Sequence, residues 1–354
     1  MILSIIFYGY LLVISLFALF STYLGLMRYV QRPAKSDYKP RTLVIVPCKG
    51  KDLTLEENLK SLAGQRYGSY DAVAVVDDDK DEAVRSIKRA GMRFITTDRR
   101  FSAGSGKVNA IATAFDRLKN YDVYVIADSD ILVKSDWLGL LVAPLGDKSV
   151  GISTTFPYFR SRGGFWSRVK TVWGFVGIGM MESEVLRFGW GGSLAFRKEV
   201  LDKKTVDAFR HSLSDDIAMT RAVKARGMRL FYVEGAQPIV NTRDTFSTFY
   251  EWANRQTAFS IRGDHKVFWI GLVSYLLNIL LLVSAIVLSI FYSPVALLLF
   301  VPIALGVLKA HSRLREPMPE FALLQLAMPF IFTANLLAAR LTKTIEWRGR
   351  KYHF

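Results

Sequence analysis

Three clusters of acids carry the chemistry latent in this sequence: Asp77-Asp78-Asp79, Asp128-Ser129-Asp130 and Asp215-Asp216. Asp128 and Asp130 lie one residue apart, directly after the apolar run Tyr124–Ala127. Apolar runs of that length read as buried strands, and parallel sheets deliver their function at strand carboxyl ends. An Asp-x-Asp there offers oxygen donors to one divalent cation, Mg²⁺ or Mn²⁺, of the kind usually shared between carboxylates and substrate phosphates. Such an ion offsets charge on a diphosphate leaving group, while a separate carboxylate takes the proton of an attacking hydroxyl. Three clusters therefore suit a nucleotide-diphosphate substrate: one acid to read the nucleoside, a pair to hold the metal, and a third as base. Each cluster also has a plainer reading, because Asp and Ser form turns, and Ser214 or Asp215 suits a helix N-cap.

The elements that must position these acids alternate strand and helix from Arg41 to about Thr155. Thr42–Val46 reads as a strand ending at Pro47, followed by Cys48-Lys49-Gly50 and then Leu53, Leu55, Leu59 and Leu62 at helical spacing. Ala72–Val76 is a second strand, and a charged helix from about Asp81 to Ala90 stops at Gly91. Arg93–Thr96, Asp122–Ala127 and Val150–Thr155 complete five strands, with a helix at Val108–Leu118. That rhythm predicts an α/β fold with a mostly parallel sheet, ligands binding beyond the strands' carboxyl ends. Gly104-x-Gly106-Lys107 lacks the spacing of a P-loop or a Rossmann fingerprint. It is either a loop presenting Lys107 to a diphosphate or an ordinary helix start.

Further along, Phe165–Phe188 places apolar residues three and four apart, but Glu182, Glu184 and Arg187 make it a poor membrane span. An interfacial helix and a core helix both fit. Trp190-Gly191-Gly192-Ser193 precedes a short strand at Leu194–Phe196, and His211 opens the run leading to Asp215-Asp216 and a helix over Ile217–Arg226.

Both ends are strongly apolar. Met1–Met27 contains no charge and reads as a retained anchor, with Arg28, Arg32, Lys35, Lys39 and Arg41 marking its cytoplasmic side. Trp269–Tyr292 is long enough to span, whereas fifteen residues at Pro294–Leu308 cover roughly 22 Å against about 30 Å. Phe321–Ala339 is interrupted by Pro329. Four spans would put Lys343, Arg348, Arg350 and Lys351 outside, against the charge rule, so three and four spans both stay open. The organisation reads as an anchor at 1–27, a cytosolic domain at 41–265, membrane helices at 268–342 and a basic tail at 343–354. A net charge of +16 is compatible with nucleic acid, an anionic bilayer or an anionic substrate. The membrane segments favour the last two and argue against nucleic acid. A single cysteine, Cys48, excludes an internal disulfide framework.

The order and spacing of these motifs, from about residue 41 to 260, resemble membrane glycosyltransferases of the family 2 type, close to the ceramide glucosyltransferase branch. The opening motif is Pro47-Cys48-Lys49-Gly50, Asp52 and Asn58–Leu62; the metal-binding Asp-x-Asp is Asp128-Ser129-Asp130; the Glu/Asp-Asp motif is Asp215-Asp216. The resemblance implies a GT-A fold, Rossmann-like, between membrane helices, and a hexose moved with inversion from a UDP-linked or similar donor to a membrane lipid. It implies Asp216, with Asp215, as the base and Asp128 and Asp130 as ligands of Mg²⁺ or Mn²⁺. Pro47, Lys49, Asp77, Asp78, Lys107, Asp128, Arg255 and Gln256 would face the nucleotide sugar. Trp190, Gly192, Ser193 and His211 would line the sugar and acceptor region. The catalytic domain would be cytosolic, on a plasma membrane in a prokaryote or the ER and Golgi in a eukaryote. The branch also carries Gln/Arg-x-x-Arg-Trp before its last helices; here Arg255-Gln256-Thr257-Ala258-Phe259 puts Ala258 and Phe259 at the Arg and Trp positions. A polyprenyl-phosphate glycosyltransferase, a polysaccharide synthase and a metal-binding membrane scaffold or transport component are the other readings.

Overall fold

The structure, a computed structural model, describes residues 2–27, 37–98, 104–347 and 349–353. The basic residues Arg28, Arg32, Lys35 and Arg348 lie outside them. In chain order the strands are β1 Thr42–Cys48, β2 Tyr70–Val76, β3 Arg93–Thr96, β4 Val123–Ala127, β5 Ile131–Leu132, β6 Val150–Thr154, β7 Tyr158–Ser161, β8 Ser193–Arg197, β9 Arg229–Tyr232, β10 Ile239–Thr242, β11 Thr344–Trp347 and β12 Arg350–His353. The helices are α1 Ile2–Leu26, α2 Leu55–Ala63, α3 Ala83–Arg89, α4 Gly106–Arg117, α5 Trp137–Val142, α6 Phe165–Glu182, α7 Lys203–Arg210, α8 Asp215–Lys224, α9 Phe246–Gly263, α10 His265–Phe291, α11 Phe300–His311 and α12 Phe321–Leu341.

Two compact units result. One holds α1, the Arg168–Phe175 stretch of α6, and Asp244–Lys343; the other holds the sheets, together with β11 and β12. In the sheet unit seven strands run in the order β3-β2-β1-β4-β8-β6-β9. β1 is parallel to β2 and β4, β2 to β3, and β6 to β9. β8 is antiparallel to both β4 and β6, so the sheet is mostly rather than wholly parallel. The chain winds outward through β1, β2 and β3, then returns to lay β4 on the other side of β1. That reversal opens a crevice at the carboxyl ends of β1 and β4, where α/β sheets bind ligands. Continuous β-branched runs explain the burial: Val44, Ile45, Val46, Val125 and Ile126 are wholly inaccessible, and α4 packs Val108, Ile111 and Phe115 against the face that carries Ile45 and Ile126. A second sheet, β5-β10-β7, escaped the sequence reading because its strands are only two to four residues long.

In the helical unit four segments are long and apolar enough to cross a membrane: Ile5–Leu24, His265–Phe291, Pro294–His311 and Phe321–Leu341. The third is marginal by its sequence. Its first six residues, Pro294–Leu299, form a 3-10 helix, whose rise of about 2.0 Å per residue brings the 18-residue segment to roughly 30 Å. Pro329 does not interrupt α12, which runs unbroken from Phe321 to Leu341. The last stretch of this unit, Asp244–Lys343, takes in α9, which packs along α12 through Thr257 Oγ1 to Asn335 Oδ1 at 2.5 Å and Asn254 Nδ2 to Thr342 Oγ1 at 2.9 Å. α6 ends at Glu182, short of Phe188, and is buried along most of its length, with Val169, Val172, Ile178 and Met181 nearly inaccessible.

Candidate active site

Everything at the crevice turns on where α4 starts. Ser105 is its N-cap, accepting from Val108 N at 3.2 Å, so Gly104-Ser105-Gly106 is a helix start that places Lys107 in the first turn. A Cβ on Gly104 would lie 2.6 Å from Arg210 O and 2.7 Å from Ser212 O, and Ser105 N donates to Ser212 O at 3.2 Å. Only glycine lets the α4 turn lean this closely on the segment that leads into α8. The consequence is a three-way junction: Lys107 Nζ lies 2.7 Å from Asp128 Oδ1, 3.2 Å from Asp215 Oδ2 and 3.3 Å from Gly191 O. The side chains of Lys107 and Asp215 are only 13% and 7% exposed.

Burial pushes the carboxyls of Asp128 and Asp215 up, with the Lys107 ammonium pulling both back. Burial works against the charge on Lys107, but Asp128 and Asp215 outweigh it and raise its pKa, so it stays a cation. Gly191 makes the junction possible, since a Cβ there would fall 2.1 Å from Asp215 Oδ2. Gly191 has no expected role by sequence, although the adjacent pair Gly191-Gly192 marks a close approach.

Asp216 stands apart from its neighbour. Ser214 caps α8, accepting from Ile217 N at 3.4 Å, and Asp216 Oδ1 accepts from Ile217 N at 2.8 Å and from the Ser214 hydroxyl. Asp216 is half-buried while Asp215 is buried. One acid of the pair thus belongs to the Lys107 junction, and the other keeps an oxygen outside it.

Asp128-Ser129-Asp130 is fixed at both ends. Before it, Asp128 N donates to Gly192 O at 3.1 Å; after it, β5 pairs antiparallel with β10. Its middle is clamped by residues quoted only as an opening motif: Ser129 Oγ donates to Asp52 Oδ2 at 2.7 Å, and Asn58 Nδ2 donates to Ser129 O at 3.0 Å. α2 and the residues just after it follow the chain onward, as Ser61 Oγ accepts from Val133 N at 3.1 Å and Gln65 Nε2, two residues past the end of α2, donates to Lys134 O at 2.9 Å. Asn58, Ser61 and Gln65 fall at helical spacing, a signal the sequence carried unread.

At the neighbouring strand ends, β1 runs through Pro47 to Cys48, with Pro47 opposite Val75. Lys49 pairs with Asp77 at 3.1 Å, and Asp78 Oδ1 accepts from Lys80 N at 2.9 Å in a tight turn. Asp81, which the sequence reading counted only as part of a helix, ties these ends together by accepting from Gly50 N and Ala83 N, both at 2.9 Å.

Trp190 and Gly192 flank the junction: Trp190 N donates to Thr154 Oγ1 at 3.0 Å, and a Cβ on Gly192 would press the Trp190 indole at 2.1 Å. Ser193 is wholly buried, its hydroxyl accepting from Trp137 Nε1 at 3.0 Å. His211 is exposed at the end of α7, its Nδ1 lying 2.8 Å from Asp207 O. Arg255 and Gln256 lie on α9, in the helical unit.

Among the described residues no group of three or more His, Cys, Asp or Glu side chains is arranged to hold a metal alone. The donor set that does exist, Asp128 with a buried Asp130 Oδ1 two residues on, is a pair of hard oxygen donors. That fits Mg²⁺ or Mn²⁺ completed by substrate phosphates rather than a self-contained protein cage.

The fold has a counterpart in the mannosyltransferase PcManGT of Pyrobaculum calidifontis, solved in complex with GDP-Man and Mn²⁺: TM-score 0.56 and 19% identity, covering 94% of this chain and 97% of that one. This is the GT-A type of fold. Two curated relatives from Caenorhabditis elegans are ceramide glucosyltransferase 3, 24% identical over 239 residues, and ceramide glucosyltransferase 1, 22% identical over 206. The matches cover 62% and 54% of this chain but 51% and 43% of those proteins, so the chain spans about half the length of the curated relatives it matches. Glycosyl transferase family 21 matches residues 10–354, and the protein belongs to that family.

Proposed function

We propose that this protein is an inverting, metal-dependent glycosyltransferase that moves a hexose from a nucleotide diphosphate sugar to the hydroxyl of a membrane lipid. The observation that carries this reading is the convergence of Lys107, Asp128 and Asp215 at the switch point of the sheet in a family 21 chain. The names of the relatives support glycolipid formation, and the nucleotide sugar and Mn²⁺ bound by PcManGT support the donor class and the cation. The four apolar helices support a membrane-embedded enzyme whose lipid acceptor comes from the bilayer. Its sheet unit would face the cytosol, the side marked by basic flanks.

In this reading Asp77 and Asp78, at the end of β2, read the nucleobase, and Lys49 orients Asp77 through their ion pair. Asp128 and Asp130 hold Mg²⁺ or Mn²⁺, which when bound neutralises charge building on the leaving diphosphate. Lys107 supplies further positive charge to the diphosphate, with Pro47 beside the donor. Asp216 takes the proton of the attacking hydroxyl, its Oδ1 held by Ile217 N and Ser214 so that the other oxygen is presented. A base and a leaving group on opposite faces of the sugar give single displacement and inversion. Trp190 and Gly192 shape the sugar pocket, Ser193 holds Trp137 beneath it, and His211 lies toward the acceptor side. Ala258 and Phe259, standing where the branch has Arg and Trp, weaken both ceramide as the specific acceptor and a processive polysaccharide synthase, and a polyprenyl phosphate is the second acceptor reading.

Purified protein in lipid discs, given a panel of nucleotide sugars with and without Mn²⁺, tests the proposal. Mn²⁺-dependent nucleotide release with a new glycolipid by mass spectrometry supports it. No release with any donor removes the enzyme reading, and sugar recovered on polyprenyl phosphate transfers the acceptor to the second one.

A further inference from the structure

We infer that Lys107 couples cation binding to donor binding by competing with the divalent cation for Asp128. The inference rests on the proposed metal site. A lysine ammonium has three N–H donors, and here three acceptors surround it: Asp128 Oδ1 at 2.7 Å, Asp215 Oδ2 at 3.2 Å and Gly191 O at 3.3 Å. All three donors are committed inside the protein, so none is left for a phosphate. The shortest contact is a charge-assisted bond to the very carboxylate that faces the proposed metal.

Two cations on one carboxylate oxygen repel each other. When Asp128 turns to the divalent ion, Lys107 keeps Asp215 and Gly191 O and regains one free N–H. That donor lies at the first turn of α4 and is then available to a diphosphate oxygen. The flexible four-carbon stem of lysine allows this hand-over, which a rigid guanidinium fork would resist. Lys107 thus preassembles the site by neutralising Asp128 and Asp215 across β4 and α8, and releases its own phosphate-binding donor only when the cation arrives. Cation and nucleotide then bind better together than either does alone.

The test measures Mn²⁺ binding to the full-length protein in lipid discs by electron paramagnetic resonance, without nucleotide. Removing Lys107 alone would favour any cation through net charge, so the informative variant is the double substitution Lys107→Met, Asp215→Asn, which leaves local net charge unchanged. With the competitor gone from Asp128, Mn²⁺ should bind roughly tenfold tighter, the worth of one charge-assisted hydrogen bond. The single variant Lys107→Arg keeps the net charge but resists the hand-over, so it should bind Mn²⁺ more weakly than wild type. It carries the test alone if the double variant does not fold. Unchanged or weaker binding in the double variant, or unchanged or tighter binding in Lys107→Arg, overturns the inference. Asp130→Asn separates the two levels. If it abolishes Mn²⁺ binding while the Lys107 variants behave like wild type, the metal site stands and the coupling falls. If it binds Mn²⁺ as wild type does, the metal site falls and takes the coupling with it.

Discussion

The side-chain amide of Asn58 donates to the backbone carbonyl of Ser129 at 3.0 Å, joining α2 to the middle of the acidic loop 71 residues further along the chain. Asn58 is wholly buried, and its other amide atom, Oδ1, accepts from Thr54 Oγ1 at 3.0 Å. Thr54 in turn accepts from Asn241, which accepts from Arg162 at 2.9 Å, so a relay of polar side chains braces the loop from α2 to the second sheet. Replacing Asn58 by Ala orphans a buried carbonyl and should cost about 1–3 kcal/mol of stability. Because the loop carries Asp128 and Asp130, the donor KM should rise as well. Thermal unfolding together with donor kinetics checks this, and an unchanged KM would confine Asn58 to a purely structural role.

Asp216→Asn keeps the size of the side chain and its bond from Ile217 N but removes the proton acceptor. Transfer should fall by about 10²–10⁴, the usual worth of a positioned general base, with nucleotide-sugar binding largely intact. Turnover and donor affinity, measured separately, check it. A variant that transfers at a near-normal rate would take Asp216 out of the mechanism.

Gly191→Ala introduces a methyl 2.1 Å from Asp215 Oδ2, a distance no real contact tolerates. Either Asp215 leaves Lys107 or the turn before β8 shifts, and overpacking of this kind costs about 1–3 kcal/mol. Activity should drop with it, because Gly191 O also accepts from Lys107 and the next residue's carbonyl holds Asp128 N. Activity and thermal midpoint close to wild type would show that the turn gives way without disturbing the junction.

The junction also sets a pH dependence. Burial raises the Asp128 and Asp215 carboxyls above the usual carboxylate range, with Lys107 only partly offsetting it. An acid whose folded pKa is raised favours folding while it keeps its proton. That contribution is complete below the unfolded value of about 3.9 and is lost as pH climbs through the folded value. Lys107, also raised, keeps its contribution throughout the neutral range. Stability should therefore decline with rising pH on account of the acid pair, and Asp215→Asn, with no proton to lose there, should flatten the decline. Thermal midpoints of both proteins, followed upward from about pH 4, check it. Parallel slopes would exclude Asp215 from the titration.

Residue order alone determined the alternation of buried strands and helices, the acids at the ends of β2 and β4, and the apolar segments at both ends. These are local properties, set by hydrophobic periodicity and by which residues follow a strand. Local pattern fails where an element is short or its partner distant. The strands β5, β7 and β10 exist through pairing with one another, and the reversed direction of β8 is set by its neighbours β4 and β6. The 3-10 start of the third apolar segment depends on backbone geometry that hydropathy does not register. The division of labour within Asp215-Asp216 was equally out of reach, because it depends on a close approach that Gly104 and Gly191 permit between α4, β8 and α8. Sequence placed the charges at one edge of the sheet; only tertiary packing decided which of them share Lys107, since a charge in a buried site is governed by the groups within a few ångströms, whatever their separation along the chain.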